Sequence, residues 1–356
     1  MHPRPNPIIA AMYTLRDLEA DVIVLHGPPG CGFTASRLLE EAGVRVVTTG
    51  MQEGDLIFGA SDRLVEVLRS VEERFSPRLT GVVGTCASMI IGENLDPAIR
   101  KAGMSGTVLP VDIHGCAGPN TAGAIRVLER ARDAGIILQK ELDRQRRMLE
   151  AATRLEEIRG MTSEAYLQPH RGETKLTLAR KVIDSLESGQ RVGVVLNAKK
   201  ETAFRFADLM MAVEHARRSL GGEGLYIGNL DPEVGLPRIR GYSKSILRDL
   251  AAAGVTVDHL TGGLDEYPVT GERASELLAG EELDLRLVVG LPHALPDLRE
   301  EDLLVTDQPR QLRHLLDQGY RRSVGEVSTH SALMGATGVV PSETGDLIRQ
   351  LADEAS

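Results

Sequence analysis

Three thiols stand in glycine-containing turns. Cys31 lies in HGPPGCGF, Cys86 in VVGTCASMIIGENLD and Cys116 in VDIHGCAGPNTAGA. Gly27 and Gly32 have the spacing of the glycines in a phosphate loop, G-x-x-x-x-G-K-[ST], but Phe33 takes the place of the lysine. That lysine carries the positive charge that meets the β and γ phosphates, so this turn is not expected to support ATP hydrolysis. What remains is a glycine-rich strand-to-helix turn that brings backbone N–H groups close to a bound group. A thiol placed there is acidified toward the thiolate, the form that binds metals. Cys31 alone leaves two readings open: a metal or iron–sulfur ligand, or a small buried cysteine in a tight turn.

The elements that must position these thiols alternate along the chain. Strands are expected at 21–26, 44–49, 79–85 and 106–113, separated by amphipathic segments such as TASRLLEEAG and ASDRLVEVLRSVEERF. Continuous β-branched runs between such helices predict an α/β protein with parallel sheets covered on both faces. A charged helical bridge is expected over 136–185. Further strands are expected in RVGVVLNA, GLYIGN, VTVDHLT, LDLRLVVGLP and DLLVTD. The expected architecture is three Rossmann-like units: 1–135 with the cysteines, 186–262, and 263–356 with the C-terminal helices.

Ligands of such sheets sit beyond the carboxyl ends of the strands. Cys31 follows the first expected strand, Cys86 the third and Cys116 the fourth. Three thiols at strand ends of one small sheet favour metal or cluster ligation over scattered core cysteines. No C-x-x-C pair is present, which disfavours a zinc ribbon or a thioredoxin site, and ferredoxin spacing is absent.

Composition narrows the partners. The chain has 356 residues and a net charge of −10, from 41 Lys and Arg against 51 Asp and Glu. That balance argues against nucleic acid and anionic membranes as principal partners. No apolar run is long enough to span a bilayer, no signal-peptide pattern opens the chain, and a cytoplasmic location is expected. Three cysteines do not suggest a disulfide framework. With no tryptophan and few other aromatics, a stacking platform for nucleic acid is not expected. The prolines of MHPRPNPIIAAMYTL suggest an extended arm.

HGPPGCGF resembles the HGP-x-GC turn of nitrogenase component 1 and its relatives, and GTCASMIIGENLD resembles their second cluster-ligand motif. The chain is much shorter than a nitrogenase subunit and lacks the earlier cysteine that the longer members carry upstream of the HGP turn. Residues 1–125 resemble most strongly a short, nickel-tetrapyrrole-reducing branch of the family. The resemblance implies an oxidoreductase, catalytic in a nitrogenase-like complex. It implies a homodimer, a [4Fe–4S] cluster, and a separate ATP-hydrolysing iron–sulfur reductase that keeps the phosphate loop this chain has lost. It further implies reduction of a nickel tetrapyrrole and closure of a lactam ring.

The same motifs imply Cys31 and Cys86 as cluster ligands. A [4Fe–4S] cluster takes four ligands, usually thiolates, and a cluster on a twofold axis draws the same ligands from each chain. Two from each subunit satisfies both conditions. A rival arrangement is two clusters, each held by three thiols and a fourth non-cysteine ligand. Cys116 is left open, as a further ligand or as a small residue beside the substrate.

Candidates for binding a carboxylate-rimmed macrocycle are His2 and Arg4 in the arm, His114, Arg322 and His330. Each histidine has a structural alternative, and His26 has the alternative of capping the strand-to-turn geometry. Glu93, with Asn94 and Asp96, follows Cys86 and is a candidate proton relay or a helix start; Glu93, His114 and His330 are the catalytic candidates. Two other functions remain open. One is a nucleotide-dependent Rossmann enzyme, which GPPGCG fits poorly. The other is a non-catalytic tetrapyrrole or metallocofactor scaffold.

Overall fold

The structure, a computed structural model, describes residues 4–116, 118–159, 172–328 and 330–356. Two compact units divide the chain: Met1–Met161 with Leu236–Arg238, and Thr162–Gly235 with Ile239–Ser356.

The first unit holds β1 (Val22–His26), β2 (Arg45–Thr48), β3 (Leu79–Gly84) and β4 (Thr107–Val111) in one parallel sheet of order β2-β1-β3-β4. β1 and β3 are buried along their whole length, as strands covered on both faces must be, whereas the edge strand β2 is partly exposed. The amphipathic helix Ser61–Phe75 lays Leu64, Val65, Leu68 and Val71 on Val22, Val24 and Val82. Full burial of each such side chain contributes roughly 1.5–3 kcal/mol before its ordering entropy is counted. Strand order reverses between β1 and β3, so the sheet opens at their carboxyl ends.

The second unit holds β5 (Arg191–Asn197), β6 (Glu223–Gly228), β7 (His259–Leu260), β8 (Leu285–Gly290), β9 (Leu303–Thr306) and β10 (Ser323–Gly325). All pair in parallel, in the order β10-β9-β8-β5-β6-β7. The strands expected in separate second and third units therefore share one six-stranded sheet. The cause lies in β5, which is buried from Val192 to Asn197 and pairs with β6 on one side and β8 on the other. Strand order reverses between β5 and β8, giving the doubly wound arrangement in a single sheet.

The expected helical bridge comprises helix Gln139–Arg159, which lies in the first unit, and helix Glu173–Glu187, which lies in the second. The N-terminal arm is shorter than its prolines suggest. Asn6 caps a helix over Pro7–Asp17 by accepting from Ile9 N at 2.9 Å, and Pro7 occupies a first-turn position where its missing N–H costs nothing. That helix packs against helix Thr121–Asp133 so closely that a Cβ on Gly123 would stand 1.8 Å from the Pro7 carbonyl oxygen. Among the described residues, no helix is long and apolar enough to cross a membrane.

Candidate metal centre at the carboxyl end of the first sheet

The first unit brings its three thiol-bearing turns to one end of its sheet. β1 delivers the Gly27–Gly32 turn with Cys31. β3 ends at Gly84, and Cys86 is the first residue of the short helix Cys86–Ile90. β4 is followed by the turn that carries His114 and Cys116.

The neighbouring strand ends brace these turns. Thr49, just past β2, accepts from Gly27 N at 3.0 Å, and its hydroxyl lies 3.2 Å from His26 Nδ1. The Thr85 hydroxyl donates to the His26 carbonyl at 3.0 Å, which ties the Cys31 turn to the residue preceding Cys86. Gly27 permits that contact, since a Cβ there would stand 2.2 Å from Thr85 Oγ1. Gly32, at φ +85°, takes the left-handed turn into helix Phe33–Glu41. Thr49 and Thr85 escape a sequence reading because neither type is distinctive; the usable signal is position, each standing at the end of an expected strand.

Around the thiols, Cys86 Sγ lies 3.9 Å from Cys116 Sγ and 3.8 Å from His114 Nδ1. It also accepts from Gly115 N at 3.2 Å. The Cys116 N–H donates to His114 Nδ1 at 3.1 Å. Against the expectation of an acidified thiol, Cys31 precedes the helix cap Gly32 and is pushed up, first by burial and next by the charge of Cys86, while a hydrogen bond with Thr85 works the other way. The Cys116 thiol is also pushed up, first by its hydrogen bond with Cys86 and then by the charge there. Neighbouring thiols that resist losing their protons together suit a cation, whose charge reverses that resistance.

His26 is fully buried at the end of β1. Its Nε2 stands 3.8 Å from a Glu93 carboxylate oxygen, and Glu93 accepts from Ala60 N at 2.6 Å. Burial pushes His26 down, against the upward pull of Glu93 and then Asp55. This geometry gives His26 the bracing role that its position at the strand end allowed. Asp112 is pushed up, first by burial and then by the charge of Asp96, with Arg130 and Arg126 opposing.

The other sequence candidates lie elsewhere. Arg4 is buried, and its guanidinium meets the Glu156 carboxylate at 2.9 Å. His2 lies outside the described residues. Arg322 and His330 belong to the second unit. Arg322 donates to the Glu301 carbonyl at 2.7 Å, and His330 Nδ1 stands 2.7 Å from a carboxylate oxygen of buried Glu201. Also in the second unit, and not anticipated, are Lys199 just past β5 and Asp307 just past β9. Burial pushes the Asp307 carboxyl up to about 6 while Lys199 pulls it down. The sequence signal for both is their position immediately beyond a strand's carboxyl end.

With that geometry in place, comparison with known proteins gives three findings. The family described as nitrogenase component 1 type oxidoreductase matches residues 7–147. Component CfbD of the Ni-sirohydrochlorin a,c-diamide reductive cyclase complex from Methanothermobacter thermautotrophicus is 50% identical over 354 residues, covering 98% of each chain. The protein of the same name from Methanosarcina acetivorans is 44% identical over 362 residues, covering 100% of this chain and 98% of its own.

Proposed function

The chain belongs to the family of component CfbD of the Ni-sirohydrochlorin a,c-diamide reductive cyclase complex, and we propose that it is the component in which that reduction and ring closure take place. The substrate would be Ni-sirohydrochlorin a,c-diamide, and the product the seco precursor of coenzyme F-430. Membership of a family of nitrogenase component 1 type implies a metal–sulfur cluster, and relatives named as one component of a complex imply a partner subunit. In the finer reading, the cluster is [4Fe–4S], the chain is a homodimer, and the partner is an ATP-hydrolysing iron–sulfur reductase.

The observation that carries this reading is the placement of Cys31 and Cys86 beyond the ends of adjacent strands β1 and β3, where the strand order reverses. Their donor set fits an iron–sulfur group. Both are thiols, and Cys31 senses the charge of Cys86. When bound, the cluster would pass single electrons from the reductase toward the macrocycle. The chain's residues hold the site in shape. Gly115 N–H donates to the Cys86 sulfur, and the Thr85–His26 and Thr49–Gly27 hydrogen bonds fix the turn that carries Cys31. Outer contacts of this kind orient ligands and tune a metal site.

Apolar side chains exposed at the same end support a second copy across the site. Phe33 is 78%, Phe58 88% and Ile90 77% exposed. All three sit on segments that follow β1, β2 and β3. For the macrocycle's carboxylates and protons, the candidate beside the thiols is His114. Arg322 stands at the amino end of β10, the opposite end of its sheet from Lys199 and Asp307. Anaerobic purification, electron paramagnetic resonance and an assay with the reductase, ATP and the nickel substrate test the proposal. The expected outcome is a cluster signal and ATP-dependent product. A cluster-loaded chain that binds the macrocycle without turnover would make it a scaffold instead.

A further inference from the structure

Cys116 has no task in the two-thiol reading, yet its sulfur stands 3.9 Å from that of Cys86. Cys86 Sγ, a ring nitrogen of His114 and Cys116 Sγ all lie within 4.8 Å of one another, and Cys86 Sγ is under 4 Å from both His114 Nδ1 and Cys116 Sγ. These separations indicate what could join them. A tetrahedral zinc ion holds thiolate sulfur at about 2.3 Å and imidazole nitrogen at about 2.0–2.1 Å. The edges of that tetrahedron are about 3.8 Å between two sulfurs and about 3.6 Å between sulfur and nitrogen. The observed 3.9 and 3.8 Å are slightly wider than these edges. Thiolates of a four-iron cluster each bind a different iron and point outward from it, so a pair of them stands farther apart than two sulfurs on one ion. Cys86 and Cys116 are therefore spaced for a single ion.

The backbone is arranged to match. His114 Nδ1 faces this loop, where it accepts from the Cys116 N–H, and it must exchange that single hydrogen bond for the ion when it ligates. The Gly115 N–H points at Cys86 Sγ and would stabilise a thiolate there. Glycine at 115 lets the loop settle onto that sulfur, because a Cβ would stand 2.7 Å from Ile8 Cδ1 and 3.2 Å from Cys86 Sγ.

We propose that Cys86, His114 and Cys116 form a mononuclear site for one soft divalent ion such as zinc in the cluster-free chain. Water completes the tetrahedron, and the two thiol protons pass to solvent on binding. Cys31 is not a ligand of this site. Because Cys86 also serves the proposed cluster, ion and cluster exclude one another. That last point rests on the cluster reading; the metal site does not.

The test is a cobalt(II) titration of the anaerobic, cluster-free, full-length protein. The expected result is one cobalt per chain, with thiolate-to-cobalt charge-transfer bands and tetrahedral ligand-field bands. Cys116→Ala and His114→Ala should each weaken binding by at least the roughly 10–100-fold that loss of an outer-shell partner costs. Cys31→Ala should bind as the wild type does. If Cys31→Ala removes the bands while Cys116→Ala and His114→Ala keep them, the ion lies between Cys31 and Cys86 and the proposal falls. Zinc-loaded wild type should then take up little iron on cluster reconstitution, while Cys116→Ala treated alike should take up its full complement. Full uptake by the zinc-loaded wild type would overturn the exclusion. Failure of the cluster reading is separable, since it would appear as normal iron content in Cys31→Ala made without zinc.

Discussion

At the scale of residues, the thiols divide by what they can reach. Cys31 and Cys86 lie beyond adjacent strand ends, and the charge of one is felt by the other. Cys31→Ala and Cys86→Ala should each remove most of the iron and abolish turnover, whereas Cys116→Ala should keep the cluster; iron content and the paramagnetic signal check this. The turn itself is testable at Gly27. A methyl group there would meet the Thr85 hydroxyl, which must then leave the His26 carbonyl. Gly27→Ala should therefore lower stability by about 1–3 kcal/mol, the usual cost of overpacking, and should loosen cluster retention in the same samples. Chemical denaturation measures the first effect and iron analysis after dilution the second. The cysteines were legible in the sequence because each follows an apolar strand run. The meeting of His114 and Cys116 with Cys86 was not, because it depends on β4 lying beside β3 and on how tightly the Gly115 turn folds back.

At the scale of elements, legibility follows burial. The first four strands, expected at 21–26, 44–49, 79–85 and 106–113, occupy Val22–His26, Arg45–Thr48, Leu79–Gly84 and Thr107–Val111. The central strands β1 and β3 are buried throughout, and their short β-branched runs between turns favour a strand. β7 keeps only His259–Leu260 of the longer run VTVDHLT, and β10, Ser323–Gly325, had no strand signal. Both are edge strands whose pairing comes from a neighbour and not from their own composition. Polar networks within the second unit were equally hidden. Glu214, buried in helix Ala203–Leu220, accepts from Arg217 Nε at 2.8 Å, Arg218 Nε at 2.8 Å and the Tyr226 hydroxyl at 2.9 Å. Burial pushes its carboxyl up, but these hydrogen bonds outweigh it and hold the group at about 2. A carboxyl that titrates below its ordinary 4.5 binds its proton less tightly in the native state than in the unfolded chain. Its stabilisation is complete above pH 4.5 and is lost as pH falls toward 2. Glu214→Gln should cost about 2 kcal/mol at neutral pH, less than a wholly buried pair because both arginines reach solvent. The difference from wild type should shrink on acidification, measured by denaturant unfolding across that range.

At the scale of the whole molecule, the decisive prediction concerns assembly. Two thiols from one chain leave a four-iron cluster short of two ligands, and a twofold axis through the cluster supplies the same two again. The surface around the site supports that partner. Phe33 follows Cys31 by two residues, Ile90 closes the helix that Cys86 opens, and Ile57 and Phe58 end helix Glu53–Phe58. That helix is tied back to the site, since Met51 N donates to the Gly27 carbonyl and Ala60 N to Glu93. Large apolar side chains gathered at one end of a unit mark an interaction surface. Burying each contributes roughly 1.5–3 kcal/mol, so a charge in place of one should weaken a dimer by more than the tenfold that about 1.4 kcal/mol represents. Phe58→Asp should thus shift the anaerobic protein toward monomer at micromolar concentration and lower its iron content in step, while Cys31→Ala should remain a dimer without iron. Native mass spectrometry resolves all three species. A Phe58→Asp monomer that retains four irons would defeat the shared site, because one chain would then complete the cluster from its own ligands, and Cys31 and Cys86 could not be its only thiolates.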